Sequence, residues 1–137
     1  MNPQRTDVFF YGLFMDRNIL GENRVRPLNP RRAYVDHFRL CIGQRATLVH
    51  SRGARAYGVI YSVRLDELEC LYGAPGLDQY RAEEVLAYTM EGEETPALCY
   101  NLQNTPRPDD ASREYAASLR DILARLKFPV EYIRSVS

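Results

Sequence analysis

The stretch "DVFFYGLFM", residues 7–15, determines how the rest of this chain is interpreted. An apolar strand runs into a tyrosine and a glycine and then stays apolar through Leu13, Phe14 and Met15, where a loop would normally turn polar. Three large apolar side chains in such a position either pack into the core or line a cavity, and the stretch favours the two equally. Gly12 permits a close approach to the backbone that a β-carbon would resist.

Composition restricts the class of partner. The chain has 137 residues with 18 Lys+Arg and 18 Asp+Glu, so it carries no excess charge for a nucleic acid or an anionic membrane. We expect a single domain over residues 1–137 and a small-molecule ligand as its partner. The polar N-terminus and the lack of a run of ~20 apolar residues predict a cytoplasmic protein that does not insert into membranes.

The cysteines and histidines predict no metal and no cofactor. Cys41, Cys70 and Cys99 are odd in number and form no CxxC pair, which argues against a disulfide framework and a zinc site. We therefore expect reduced, mostly buried thiols. His37 and His50 show no metal-ligand spacing with other residues.

Hydrophobic periodicity predicts an α+β fold. Six strand-like segments are indicated, at residues 8–11, 34–42, 46–49, 56–63, 80–88 and 97–102. The polar turn at residues 90–94 should join the last two as a hairpin. Helices are predicted over residues 65–72 and 112–128, the second with Ser112 as N-cap and Pro129 as its stop.

The order of motifs carries more weight than any one of them. The sequence of "FFYGLFM", "GQRATLVHSRGARAYGVIYSV", "LDELECLYGAPGLDQYRAEEV", "TPALCYNL" and "SREYAASLRDILARLKFPVEYI" resembles the gamma-glutamylcyclotransferase-like superfamily, which includes plant avirulence-induced-gene proteins. The resemblance covers nearly the whole chain. It implies a small six-stranded mixed β-barrel with outer helices and a pocket at one mouth.

The resemblance also implies a chemistry, which is action on a γ-glutamyl amide or amine to release 5-oxoproline. In that family, backbone N–H groups after the first strand hold the carboxylate end of the glutamyl group. A glutamate then removes a proton from the α-amino group, which attacks the γ-carbonyl. Here the donors would be the N–H groups of Gly12, Leu13 and Phe14, which do not depend on the side chains present.

The residue at the family's base position is the main departure. In "LYGAPG" the glutamate that precedes a glycine is replaced by Tyr72. A tyrosine has a pKa near 10 and stays protonated at neutral pH, and loss of a positioned base typically costs ~10² to 10⁴ in rate. Glu69 lies one helical turn earlier and is the alternative base, ahead of Glu67 and Asp78.

Further residues match aromatic positions around the family pocket, namely Tyr80, Tyr100 and Tyr115. With the segment Tyr11–Met15 and Tyr72 they form the predicted substrate-binding set, although each is equally well explained as a core tyrosine with its hydroxyl at the rim. One arginine near the mouth can pair with a ligand carboxylate. The candidates are Arg45, Arg52 and Arg55.

Three functions remain open from the sequence. The first is a cyclotransferase whose general base has changed, and the second is a catalytically silent small-molecule binder on the same fold. The third is a protein-interaction domain in which the apolar loop is a contact surface. The ligand, the pathway and the oligomeric state cannot be read from the residues.

Overall fold

A computed structural model describes residues 4–107 and 110–137 and confirms the α+β class. Within these residues a closed barrel is formed in the order β1-β3-β2-β4-β5. The strands are β1 (Arg5–Phe10), β2 (Leu28–Ile42), β3 (Ala46–Arg64), β4 (Tyr80–Thr89) and β5 (Glu94–Leu102). The helices are α1 (Arg17–Glu22), α2 (Leu65–Tyr72), α3 (Asp110–Arg125) and α4 (Val130–Ser135), and a single 3-10 turn spans Leu13–Met15.

The barrel closes through its first and last strands. β1 is antiparallel to β3 and pairs with β5 in parallel, with Val8 opposite Leu98. The remaining pairs, β2 with β3, β2 with β4 and β4 with β5, are antiparallel. The predicted hairpin between β4 and β5 is confirmed, and its turn uses Gly92 at φ 94°.

The number of strands differs from the prediction because two of the predicted strands belong to β3. The pairing with β2 passes from His50 opposite Phe38 to Arg55 opposite Asp36, so residues 51–54 lie opposite His37 alone. His37 and Gly53 both have positive φ, and the Gly53 N–H donates to His37 Nδ1 at 3.1 Å. The polar segment that resembles a loop in the sequence is therefore a bulge that bends one continuous strand.

The long C-terminal helix also differs from its predicted bounds. Ser112 lies inside α3 rather than capping it, and α3 ends at Arg125, before Pro129. Lys127 adopts φ 62°, its N–H donates to Ala124 O at 3.1 Å, and the Phe128 N–H donates to Leu123 O at 3.1 Å. This is a Schellman ending built on a lysine, so no glycine marks it in the sequence.

The core is one cluster of buried side chains from the barrel strands and the helices. Val8, Phe9 and Phe10 of β1 are all buried, as are Leu119 and Leu123 of α3. No helix in the described part of the chain is both long and apolar enough to cross a membrane.

The cysteines are all free. Cys41 and Cys99 are buried as expected. Cys70 is exposed, contrary to expectation, because it lies on the outer face of the short helix α2.

Gly58 of β3 packs against β1 so closely that only a glycine fits there. A β-carbon at Gly58 would lie 2.7 Å from the Phe9 ring and closer still to the Phe10 carbonyl oxygen. We therefore expect Gly58→Ala to lower the free energy of unfolding by about 1–3 kcal/mol, measured by urea denaturation. Gly21→Ala in α1 is the matched control, since its β-carbon would meet open space and a helical alanine is favoured by about 1 kcal/mol. Equal effects of the two changes would contradict the packing argument.

Candidate functional site

The segment that follows β1 lines a cavity of about 160 Å³ at the barrel mouth. Two of the three apolar loop residues, Leu13 and Phe14, line this cavity and are not among the buried core residues. The full lining consists of Phe9, Phe10, Tyr11, Gly12, Leu13, Phe14, Ile19, Arg45, Ala46, Tyr72, Leu77, Tyr80 and Tyr115. Its walls are thus largely aromatic, with four tyrosines and one charged side chain.

Met15 behaves differently from its neighbours. Its side chain is 0% exposed and belongs to the core rather than to the cavity wall. The Tyr61 hydroxyl donates to Met15 O at 2.7 Å, and the Met15 N–H donates to Gly12 O at 3.0 Å in the 3-10 turn. The loop is therefore fixed from inside the barrel at one residue and faces the cavity at the two before it.

Gly12 faces the hydroxyl of Tyr115, a residue of α3. A β-carbon at Gly12 would collide with Tyr115 Oη, and the Leu13 N–H donates to the same oxygen at 3.2 Å. One of the three N–H groups expected to hold an anion is thus already occupied. The N–H groups of Gly12 and Phe14 form no hydrogen bond to the described residues.

Two other cavity tyrosines connect chain segments on different sides of the cavity by hydrogen bonds. The Tyr11 hydroxyl donates to Tyr100 O at 2.6 Å, and the Tyr80 hydroxyl donates to Ala46 O at 2.5 Å. Each bond joins a different pair of chain segments across the mouth. Because both protons are committed to buried carbonyl groups, Tyr11 and Tyr80 stabilise the site and keep only acceptor capacity for a ligand.

Tyr72 ends α2 inside an aromatic cluster. Its ring stacks on Tyr100 with centroids 3.9 Å apart and planes 4° from parallel, and it meets the Phe14 ring edge-on at 6.3 Å. Tyr100 therefore lies behind Tyr72 and is not part of the cavity lining. In the part of the chain that the structure describes, the Tyr72 hydroxyl forms no hydrogen bond, so its proton is free for a ligand.

Burial keeps these phenols neutral. It raises the pKa of Tyr11 and Tyr72 well above the ordinary value, and it raises that of Tyr80 as well. Burial also raises the pKa of Tyr115 to about 12, against the opposing effect of the Leu13 N–H. At neutral pH the four cavity tyrosines are hydrogen-bonding groups and not bases.

The carboxylates considered from the sequence lie elsewhere. Glu69 and Asp78 are exposed, and neither lines the cavity. Glu67 accepts hydrogen bonds from the Arg26 N–H at 2.9 Å and the Arg64 N–H at 3.4 Å, at the start of α2. No Asp or Glu is present among the described residues that line the cavity.

Of the three candidate arginines, only Arg45 is at the mouth. Arg55 pairs with Asp36 at 2.7 Å and stacks over the Tyr34 ring at 3.9 Å, while Arg52 is exposed in the β3 bulge. No cluster of three or more His, Cys, Asp or Glu that would hold a metal ion occurs in residues 4–107 and 110–137.

Several lining residues were missed in the sequence. They are Phe9, Phe10, Ile19, Ala46 and Leu77. Phe9 and Phe10 could have been found from the sequence. Successive side chains of a strand point to opposite faces, so one of these two large rings must lie outside the barrel interior. Ile19, Ala46 and Leu77 are brought in by tertiary structure and carry no local signal.

Comparison with known proteins assigns the family. The family "Gamma-glutamyl cyclotransferase, AIG2-like" matches residues 8–118, and the chain belongs to this family. No curated protein sequence gave a match.

Solved structures agree on the fold. One described as a gamma-glutamyl cyclotransferase aligns with a TM-score of 0.80 at 19% identity, covering 98% of this chain and 89% of its own. An uncharacterized protein from Homo sapiens aligns at 0.77 with 21% identity, covering 97% and 88%. A protein from Arabidopsis thaliana aligns at 0.68 with 21% identity, covering 94% and 97%. At such identities these likenesses establish the fold alone.

The raised tyrosine pKa values predict a loss of stability in alkali. An unfolded tyrosine ionises near pH 10, whereas the folded cavity tyrosines hold their protons to higher pH, to about 12 for Tyr115. Above about pH 10 the unfolded state binds fewer protons than the native state, so the free energy of unfolding falls as pH rises from there. Urea unfolding across this range measures the slope, and Tyr72→Phe should make it shallower. A native protein whose cavity tyrosines ionise near pH 10, seen by tyrosinate absorbance, would contradict this.

Proposed function

We propose that this chain binds a small molecule in the cavity that follows β1 and does not release 5-oxoproline through a carboxylate base. The observation that carries the proposal is Tyr72, which stands where the family resemblance places the base and which lines a cavity whose described residues include no Asp or Glu. The family match and the barrel support a small-molecule site at this mouth.

The cyclotransfer step requires a group that accepts a proton from the substrate ammonium. Tyr72 is unsuited to this because burial raises its pKa, with the neighbouring phenols of Tyr80 and Tyr100 acting in the same direction. A neutral phenol with a free proton donates a hydrogen bond to a ligand acceptor instead. The site thus keeps a recognition role where the family has a catalytic one.

Two backbone donors support binding of an acceptor group. The N–H groups of Gly12 and Phe14 remain available, although Tyr115 covers that of Leu13. A carbonyl or carboxylate oxygen placed near this turn would receive these hydrogen bonds without any change of side chain. Binding and catalysis therefore depend on different parts of the site.

A cyclotransferase with a changed base is the second candidate, and the same two N–H groups favour it. Its base would have to be Glu69, an exposed residue of α2 that does not line the cavity but raises the pKa of the neighbouring Tyr100, after burial, through its charge. The third hypothesis, an interaction surface on the apolar loop, loses its motivating observation, because Leu13 and Phe14 line the cavity and Met15 is in the core.

The proposal predicts little or no 5-oxoproline from wild type on a panel of γ-glutamyl amides, and a gain of activity in Tyr72→Glu. A carboxyl group among Phe14, Tyr80 and Tyr100 would have a raised pKa, which suits a base working near neutral pH. Tyr72→Gln is the matched control, since glutamine has the size of glutamate and its amide cannot accept the substrate proton. Release of 5-oxoproline, quantified for each variant, is the measurement.

Glu69→Gln separates the two candidates. Rapid wild-type turnover abolished by Glu69→Gln would overturn the binding proposal and make Glu69 the base. Rapid turnover unaffected by that change would overturn it equally and require a different base. We expect that wild type and Tyr72→Gln release little or no 5-oxoproline and that Tyr72→Glu releases measurably more.

A further inference from the structure

A polar groove adjoins the aromatic cavity and shares Arg45 with it. The groove has a volume of about 400 Å³, and its other polar walls are Gln44, Gln79 and Arg107. Among the described residues that line the cavity and the groove, two are cationic and none is a carboxylate. The two depressions therefore adjoin at Arg45, one with aromatic walls and the other with cationic walls.

Arg45 is held at the junction by a bare backbone. Its guanidinium lies against Gly76, where a β-carbon would collide with Arg45 Nη2. Gly76 also has φ 86°, a conformation that glycine adopts readily and other residues rarely do. The positive φ thus favours glycine at the place where the arginine lies.

Arg107 is brought beside it by a second glycine. A β-carbon at Gly43 would lie 2.6 Å from Pro106 Cβ and 2.7 Å from Arg107 O, so the connector after β5 packs directly on the turn that carries Arg45. Neither arginine forms a salt bridge with a carboxylate in residues 4–107 and 112–137. Among the side chains that the structure describes, these two cations have no carboxylate partner, an arrangement that favours an anionic ligand.

The cavity has room for one aromatic ring. An apolar cavity of ~150 Å³ is known to hold a benzene molecule, and this one measures about 160 Å³. Its aromatic walls offer edge-on contacts to a further ring.

We propose that the ligand is a compact aromatic carboxylate, with its ring in the cavity and its carboxylate in the groove on Arg45 and Arg107. The inference rests on the proposed binding role of the same cavity and names the ligand class. The bidentate geometry of a guanidinium fits a carboxylate, and two arginines at one end set the direction in which the ligand enters.

Calorimetric titration of the wild-type protein tests the class. Benzoate, phenylacetate and phenylpropionate are compared with the three corresponding alcohols, which have the ring without the charge, and with butyrate, which has the charge without the ring. At least one aromatic acid should bind about tenfold or more tightly than its alcohol and than butyrate. Its affinity should fall as sodium chloride is added. Equal affinities of acid and alcohol, equal affinities of acid and butyrate, or no binding by any of the three acids would each overturn the proposal.

Charge-removing variants locate the carboxylate. Arg45→Gln and Arg107→Gln should each weaken binding of the acid by about tenfold and leave the alcohol unchanged. Arg134→Gln is the matched control, an exposed arginine of α4 that lines neither depression, and it should have no effect. An Arg45→Gln protein that binds the acid as tightly as Arg134→Gln does would place the carboxylate elsewhere and overturn the assignment.

The two proposals fail separately. Turnover of γ-glutamyl amides by wild type would defeat the binding role without altering the measured preference for an aromatic acid. Equal binding of the aromatic acid and its alcohol would overturn the ligand class. If wild type also releases no 5-oxoproline, the proposed binding role would still hold.

Discussion

The hydroxyl of Tyr61 reaches the carbonyl oxygen of Met15 at 2.7 Å inside the barrel, and this buried hydrogen bond holds the chain just beyond the first strand. With Met15 fixed in the core, the preceding 3-10 turn presents Leu13 and Phe14 to the mouth and sets the Gly12 backbone against Tyr115. An unsatisfied carbonyl at that depth would be costly, so the arrangement is strongly determined. The cavity keeps its shape because the Tyr61 hydroxyl holds the loop from inside the barrel.

In the function that we propose, the family fold keeps backbone donors for binding while its chemistry changes. The donors at Gly12 and Phe14 belong to the backbone and survive any change of side chain, whereas a general base is one residue and disappears with one substitution. Tyr72 fills the space with a ring that stacks on Tyr100, which suits an aromatic interior and excludes a charge. Membership of the family therefore fixes the architecture of the pocket, and the residues in it decide what happens there.

The sequence predicted those parts of the molecule that depend on local patterns. The helix Leu65–Tyr72 and the β4–β5 hairpin follow from apolar spacing and a glycine turn, and both are found as expected. The family resemblance grouped Tyr72, Tyr80, Tyr100 and Tyr115 with the Gly12 loop. Three of these tyrosines line one cavity, and Tyr100 instead stacks on Tyr72 outside the lining.

Other features depend on contacts that no local pattern records. The β3 bulge looks like a loop because its residues are polar, and the end of α3 uses Lys127 at positive φ where a glycine would have been recognised. The inward turn of Met15 is set by Tyr61, which lies in a different strand. The guanidinium of Arg45 lies against Gly76, which comes from the loop after α2.

The parallel pairing of Val8 with Leu98 has a consequence for how the protein acquires its structure. The first strand leaves the ribosome long before its last neighbour, and the contact of Leu13 with Tyr115 spans 102 positions in the chain. Contacts of such long range slow folding and leave apolar strands uncovered while they wait. The cavity cannot exist until both ends of the chain have met, so a bound ligand recognises only the fully assembled barrel and adds its binding free energy to the stability of the whole.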